Sequence, residues 1–298
     1  CMSMDWLEEF PALSRGVLRE IKKGIDLGFR QFTRDYGEFW EAVFNPLRDF
    51  LIWCEHLLTD SPWPLVLLVL ALVAWFATRS WRIVVGSVVT LVLIGVFGMW
   101  EDTMKTISMV FVSTLVSLML GLPLGVLMSR YDPVQRTVSP ILDVMQTMPS
   151  FVYLIPVVML LGIGKAPGLI AVVIFSIPPV IRFTNLGIRL VPADMLEAAD
   201  AFGSSYWQKL FKVQFPLSLP TIMGGVNQTI MLALSMVVIA SMIGVQGLGQ
   251  PVLKAISNQY FTLGVFNGLA IVGIAIIFDR ISQAYGKRLQ RHLEVVHG

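Results

Sequence analysis

Charged residues are scarce in this chain. Only 14% of its 298 residues are Asp, Glu, Lys or Arg, whereas ordinary soluble domains carry about 25%. Apolar residues make up 55% of the chain and occur in long blocks, which excludes an ordinary soluble globule. The net charge is only +2, without the basic excess that nucleic-acid-binding domains carry, so we expect no nucleic-acid partner.

Residues suited to metal binding or catalysis are equally few. Cys1 and Cys54 are the only cysteines, and they lack the spacing of a metal site. His56, His292 and His297 lie outside the apolar blocks with no second ligand at a useful spacing. The phosphate-binding pattern G-x-x-x-x-G-K-S/T is absent. We therefore expect no metal, no cofactor and no catalysis in this chain, and any energy it uses has to come from another polypeptide.

Seven apolar segments are membrane-crossing candidates, the first of them short, since a spanning helix needs about 20 mainly apolar residues. They are residues 63–78, 83–100, 106–128, 141–163, 167–185, 221–243 and 263–281. The sequence therefore predicts an all-α integral membrane protein with about seven transmembrane helices.

Prolines are concentrated in the fourth and fifth segments, at Pro149, Pro156, Pro178 and Pro179. Neighbouring helices in a membrane bundle can satisfy the carbonyls that a proline frees. Two interpretations remain open. The prolines mark broken helices near a transport pathway, or they introduce kinks that only shape packing.

Basic residues alternate from loop to loop. The loops after the first, third, fifth and seventh segments contain Arg79, Arg82, Arg130, Arg136, Arg189, Lys209, Lys212, Lys287, Arg288 and Arg291. The intervening loops contain one lysine each, namely Lys105, Lys165 and Lys254. Because loops rich in Lys and Arg stay on the cytoplasmic side, we expect the C-terminus inside and the N-terminus outside.

With this orientation, the sequence predicts three parts. Residues 1–61 form external amphipathic helices, residues 62–285 form the transmembrane domain, and residues 286–298 form a cytoplasmic basic tail. Two apolar stripes at helical spacing define the first part, and we expect it to brace the bundle or lie on the membrane surface rather than form a soluble domain. The stripes are Leu13, Val17, Leu18, Ile21, Ile25, Phe29 and Phe32, then Trp40, Val43, Phe44, Leu47 and Leu51.

The polar loop at residues 186–220 contains the stretch EAADAFGSSYWQKLFKVQFPLSLP. Pro192 favours the start of a helix, and Gly203 its end. Ser204 and Ser205 are suited to cap a second helix at residues 206–213, which we expect Pro216 to stop. Such a pair of short helices either folds on its own or inserts into a groove of a partner.

The spacing of this loop resembles the signature loop of the membrane subunits of bacterial ABC importers. The pattern begins with Glu197-Ala198-Ala199, continues with Gly203 and ends at Pro216. The resemblance implies that the loop is a coupling helix that docks in a groove of an ATP-hydrolysing subunit. The residues that it assigns to this coupling are Glu197, Ala198, Ala199, Asp200, Phe202, Gly203 and Pro216.

Residues 146–189 and 224–249 resemble the glycine betaine and related quaternary-amine branch of these importers, and the resemblance extends over roughly residues 65–285. It implies the type I ABC importer permease fold in the bacterial inner membrane. The partners that it implies are a second copy of the chain, two cytoplasmic ATPase subunits and an external substrate-binding protein, with membrane lipid around them.

A translocation path is expected along segment 221–243. On a helical wheel, an arc of about 140° contains Gly224, Asn227, Gln228, Met231, Ser235, Val238, Ser241 and Met242. This face either contacts another helix through small and amide side chains or lines the path. Phe151 and Tyr153 either offer cation–π contacts to a quaternary ammonium or serve only in packing.

The expected function is therefore that of the transmembrane subunit of an ATP-driven importer of glycine betaine, choline or a relative. An importer of the same architecture for another small solute, such as an amino acid, is the nearest alternative. A passive, osmotically gated channel is a second alternative, but it has no need for the paired-helix loop. An intramembrane enzyme requires a catalytic constellation inside the spans, and the sequence contains none.

Overall fold

The computed structural model describes residues 14–295, with side chains up to residue 288. All regular elements in this range are helical. In chain order the α-helices are α1 (Arg15–Thr59), α2 (Trp63–Thr78), α3 (Trp81–Val96), α4 (Trp100–Arg130), α5 (Asp132–Thr147), α6 (Ser150–Leu161), α7 (Lys165–Arg189), α8 (Ala193–Ala201), α9 (Tyr206–Lys209), α10 (Phe215–Ala240), α11 (Gly249–Asn258) and α12 (Phe261–Val295). Cys1, Leu13 and His297 lie outside the described residues, as do the side chains of Arg291 and His292.

Four helical segments of the described part are long and apolar enough to cross a membrane by themselves. They are Trp100–Arg130, Lys165–Arg189, Tyr206–Ile243 and Phe261–Arg288. Two bent pairs, α1 with α2 and α5 with α6, bring the number to six if each pair counts as one span, and α3 is a shorter apolar helix. The prediction of an all-α fold is confirmed, whereas the number of crossings and the orientation of the termini stay predictions.

The predicted fourth segment, residues 141–163, is not one helix. Helix α5 ends at Thr147, α6 begins at Ser150, and the two axes are bent by 101°. The cause is Pro149, because a proline disfavours the helical conformation of the residue before it, and Met148 is extended with φ −71° and ψ 132°. The interpretation as a broken helix is therefore correct for this segment.

The fifth segment behaves differently. Pro178 and Pro179 both lie inside α7, which continues unbroken from Lys165 to Arg189, and both are buried. Helix α7 is surrounded by neighbours, so packing rather than a break accommodates this pair of prolines.

The core forms where α4 and α10 pack closely against α7. A Cβ built at Gly121 of α4 would lie 2.4 Å from Val180 of α7, and one at Gly225 of α10 would lie 2.6 Å from Phe183 of α7. Glycine is required at both positions because any side chain would separate the helices.

The structure joins the two amphipathic stripes of the N-terminal region into one helix, α1, of 45 residues. Its only buried residues are Leu51, Cys54 and Glu55, so its last turns pack on the bundle while the rest is largely exposed. An ion pair of 2.7 Å joins Glu55 to Lys165 at the start of α7. At the other end of the chain, residues 286–295 continue α12.

We predict that Glu55→Gln destabilises the protein by about 1.5–3 kcal/mol, the value of a hydrogen bond to a charged group. The Glu55 side chain is only 11% exposed, so its loss leaves the Lys165 ammonium half-buried without its anion. Thermal unfolding in detergent measures the effect as a lower midpoint.

The matched control is Glu101→Gln, which breaks the pair of Glu101 with Lys105. Here the carboxylate that is replaced is 71% exposed, against 11% for Glu55, so the change is expected to cost less than about 0.5 kcal/mol. The Glu55→Gln, Lys165→Met double variant should be destabilised by less than the sum of the two single variants, because both substitutions remove the same ion pair. Equal destabilisation by Glu55→Gln and Glu101→Gln would contradict the role of the Glu55–Lys165 pair.

Candidate functional site

The loop between α7 and α10 contains the two short helices that the sequence predicts. Helix α8 follows Pro192, and the chain turns at Gly203 with φ +73°, a conformation that favours glycine. At the start of α9, the backbone N–H of Gln208 donates to Ser205 Oγ over 3.4 Å, and the backbone N–H of Ser205 donates to Gln208 Oε1 over 2.9 Å. This reciprocal pair is a capping box, so the prediction of a cap at Ser205 is confirmed.

The prediction that Pro216 stops the second helix is wrong. Helix α9 continues through a π-helical turn, Leu210–Gln214, directly into α10. In this turn the N–H of Phe215 donates to the carbonyl of Leu210, five residues earlier. The backbone hydrogen-bond pattern of the helix therefore changes from i−4 to i−5 just before Pro216. The missing N–H of the proline falls at this junction, so the helix is not broken.

Residues 197–203, which we name the tip segment, project from the bundle. Phe202 is 90% exposed, Glu197 and Ala198 are exposed, and Ala199 is buried on the inner side. A Cβ at Gly203 would contact nothing within 4 Å. The tip segment therefore presents a large, almost fully exposed apolar side chain beside small residues. Exposed large apolar side chains mark interaction sites when they are grouped.

Two polar contacts stiffen this loop. Asp200 of α8 accepts from the Lys209 ammonium of α9 at 2.6 Å. The Arg130 guanidinium at the end of α4 lies 4.0 Å from the centre of the Tyr206 ring, which is cation–π geometry. The two short helices of the loop are therefore joined to each other and to the spanning helix α4.

Arg189 at the end of α7 organises the neighbouring helix ends. Its guanidinium donates to Asp132 Oδ1 at 2.6 Å, to the carbonyl of Met128 at 2.9 Å and to Asn185 Oδ1 at 3.0 Å. These bonds join the ends of α4 and α7 to the start of α5.

Asp143 joins α5 to α7. It lies near the C-terminal end of α5 and accepts a hydrogen bond from Arg182 of α7.

The exposed residues of α10 and its final turn recur on one face. They are Gly224, Gln228, Met231, Ser235 and Met242. All five belong to the arc that the helical wheel assigns to the polar face, whereas Thr229, Ala233 and Met236 are buried on the other sides. We name these five residues the α10 open face.

Asn227 is directed elsewhere. Its amide nitrogen donates to Asp279 Oδ1 of α12 at 3.0 Å, and Gln283 donates to the same oxygen at 2.7 Å. Asn227 therefore joins α10 to α12. No local signal in the sequence indicates this pairing, because Asn227 and Asp279 are 52 positions apart.

Phe151 and Tyr153 of α6 also differ in their surroundings. Phe151 is 53% exposed, whereas Tyr153 is 4% exposed. The Tyr153 hydroxyl donates to the carbonyl of Met145 in α5, and its ring contacts Phe175 edge-on with 5.9 Å between ring centres. Tyr153 thus fixes the bend between α5 and α6, and Phe151 is the exposed one of the two.

Helices of spanning length around a central α7, with a paired-helix loop projecting between two of them, define an integral membrane subunit of a transport system. The family model described as "Binding-protein-dependent transport system inner membrane component" matches residues 117–291. The chain belongs to this family, and it is a multi-pass protein of the inner membrane.

Its relatives include permeases named for betaine transport. The chain is 48% identical over 293 residues to the "Glycine betaine/proline betaine transport system permease protein ProW" of Escherichia coli, covering 95% of this chain and 82% of that protein. It is 48% identical to the "Glycine betaine/carnitine transport permease protein GbuB" of Listeria monocytogenes, covering 90% and 94%. It is 45% identical to the "Glycine betaine transport system permease protein OpuAB" of Bacillus subtilis, covering 87% and 92%.

A solved structure has the same fold. The chain superposes on an inward-facing conformation of the MetNI methionine ABC transporter with a TM-score of 0.57 and 22% identity, covering 62% of this chain and 93% of that chain. Together with the family match, this confirms the prediction of the type I ABC permease fold.

Proposed function

We propose that this chain is the membrane-spanning subunit of an ATP-driven importer of glycine betaine or a related quaternary amine such as proline betaine or choline. The observation that carries the proposal is its identity of 45–48% with three permeases named for glycine betaine, over 87–95% of its own length. In this proposal residues 62–285 form the permease domain, residues 1–61 lie outside and residues 286–298 lie inside.

The loop between α7 and α10 is the proposed attachment point for a cytoplasmic ATPase. Phe202 supplies an apolar anchor, since large exposed side chains that enter a partner's pocket carry most of the binding energy of an interface. Small residues at Ala198 and Gly203 let the partner approach the backbone, and Ala199 and the Asp200–Lys209 pair support the segment from behind. Glu197 is exposed and available to the partner, and Pro216 lies where the loop enters α10.

The remaining partners follow from the same proposal. A second copy of this chain completes the pore, each copy docks one ATPase, and an external binding protein delivers the solute. This chain performs no chemistry itself, and ATP is hydrolysed in the partner subunit.

The proposed path runs along the α10 open face, where Gln228, Met231 and Ser235 are exposed. Phe151, exposed on the helix α6 that packs against α10, is its proposed aromatic residue. A quaternary ammonium has a diffuse positive charge and no N–H to donate, so weak polarity and an aromatic face suit it. A conduit also has to release its solute, which favours weak contacts. Asn227 and Tyr153 are proposed to hold this path in shape through Asp279 and Met145.

We predict that the complete importer, reconstituted in vesicles with its ATPase and binding protein, accumulates labelled glycine betaine only when ATP is supplied. A solute panel of glycine betaine, proline betaine, choline, carnitine and an uncharged amino acid of similar size identifies the substrate. Uptake that continues without the ATPase supports a passive channel instead, and uptake restricted to the amino acid supports the other importer class.

We predict that Phe202→Ala weakens ATPase binding by about 2 kcal/mol or more, which is roughly thirtyfold in affinity. The side chain is 90% exposed, so its loss should leave the fold of this chain intact. Copurification of the ATPase and ATP-driven uptake measure the effect.

The control for this variant is Phe76→Ala. Phe76 is 66% exposed and lies on α2, away from the tip segment. Undiminished ATPase binding by Phe202→Ala, or an equal loss in Phe76→Ala, would refute docking through residue 202.

We predict that Ser235→Phe lowers uptake by roughly tenfold or more, because pore diameter limits passage, while ATPase binding is unchanged. Ser235 is exposed on the α10 open face, and its hydroxyl donates to the carbonyl of Met231. Ser257→Phe on the exposed side of α11 is the matched control and should transport normally. If Ser235→Phe transports at the control rate, the path does not run along this face.

A further inference from the structure

An apolar cavity of about 490 Å³ lies between α1, α2, α3, α4 and α12, away from the tip segment and the α10 open face. None of its lining residues is charged. The hydroxyls of Ser87 and Ser108, which line it, donate to the carbonyls of Ile83 and Met104 in their own helices. The wall is therefore apolar in effect, and a cavity of this kind excludes water and accepts hydrocarbon.

The cavity opens to the outer surface of the bundle. Four of its lining residues, Trp53, Leu57, Val73 and Phe111, are each more than half exposed. In a protein of the inner membrane, the apolar surface around these helices faces lipid. The hydrocarbon that reaches this opening is therefore an acyl chain.

A second apolar cavity of about 380 Å³ continues the first one along α3. Leu91 lines both cavities, and Trp63 and Trp100 lie at the far end of the second. Indole rings are enriched where a membrane helix reaches the interface. The two cavities together form an apolar groove, which is long enough to follow an extended chain towards that interface.

The opposite end of the groove is basic. Arg79 is the residue directly after α2, five positions beyond the lining residue Ala74, and Arg82 of α3 precedes the lining residue Ser87 by five positions. At a rise of 1.5 Å per residue, both arginines lie about 7–8 Å beyond the cavity wall. Both are exposed.

Helix α12 brings further basic residues to the same end. The Arg288 guanidinium donates to the carbonyl of Phe76 at 2.8 Å, which places it beside the end of α2, and Lys287 precedes it. Among the side chains that the structure describes, no carboxylate lies within 4.0 Å of Arg79, Arg82, Lys287 or Arg288. The positive charge at this end of the groove is thus available to an anion.

We propose that this groove is a binding site for one anionic phospholipid. Its phosphate is held by Arg79, Arg82 and Arg288, and one of its acyl chains occupies the cavity between α1 and α12. Guanidinium groups bind phosphate oxygens in a bidentate manner, and basic pockets between membrane helices bind acidic headgroups. The proposal is independent of the transported solute and of the ATPase.

The test compares lipids bound to the full-length chain after purification from vesicles that contain phosphatidylcholine and phosphatidylglycerol in equal amounts. Native mass spectrometry gives the ratio of the two lipids retained. In the Arg79→Gln, Arg82→Gln variant, the preference for phosphatidylglycerol should fall by roughly fivefold for each charge removed. Lys22→Gln, Lys23→Gln removes the same charge from the exposed part of α1 and should leave the preference unchanged.

The acyl-chain part of the site is tested separately by Ala71→Phe, which fills the cavity from α2. It should reduce the amount of either lipid retained, whereas Ala77→Phe, on α2 outside the cavity lining, should not. If Ala71→Phe does not fold, the arginine variant, which leaves the core unchanged, decides the proposal.

Three results would overturn the proposal. An unchanged lipid ratio in the Arg79→Gln, Arg82→Gln variant would mean that these arginines serve only to orient the chain in the membrane. An equal loss in the Lys22, Lys23 control would reduce the effect to general surface attraction. A change in the oligomeric state of Ala71→Phe with unchanged lipid content would identify a second copy of the chain as the occupant.

Discussion

The close approach of α4 and α10 to α7 is the constraint on which the rest of this structure depends. Membrane helices have no water-driven reason to associate, because lipid chains are as apolar as their side chains, so they gain stability by bringing their backbones together. Gly121, Gly125 and Gly225 make this possible, since a Cβ at any of them would lie 2.4–2.6 Å from an atom of α7. The same enclosure accommodates Pro178 and Pro179 inside an unbroken helix.

Predictions succeeded where a few neighbouring residues determine the outcome. Gly203 ends its helix because its own φ is positive, and Ser205 caps the next one with a residue three positions away. Pro149 breaks its segment through a clash with the residue before it. The positions of the long apolar helices and the open arc of α10 follow from composition and periodicity, which are also local properties.

Predictions failed or remained open where the determinant is tertiary. Proline has the same local effect at Pro216 as at Pro149, yet a π-helical turn absorbs it there and the helix continues. Asn227 belongs to the arc of the open face by angle, but its amide is taken by Asp279 of α12. Periodicity identifies which residues share a side of a helix, and only the packing determines which of them have partners.

The absence of a break at Pro216 has a mechanical consequence for the proposed coupling. Tyr206–Ile243 is one helical segment of 38 residues, so the loop and the α10 open face belong to the same rod. Asp200 and Lys209 join the tip segment to the start of this rod. Gly187 of α7 lies directly against Ser218 and Thr221 of α10, where a Cβ would come within 3.1–3.2 Å of their atoms, so the two helices are tightly packed at this end as well. In the proposed coupling, a push on the tip segment therefore acts on α10 as a whole, and the α10 open face responds together with the loop.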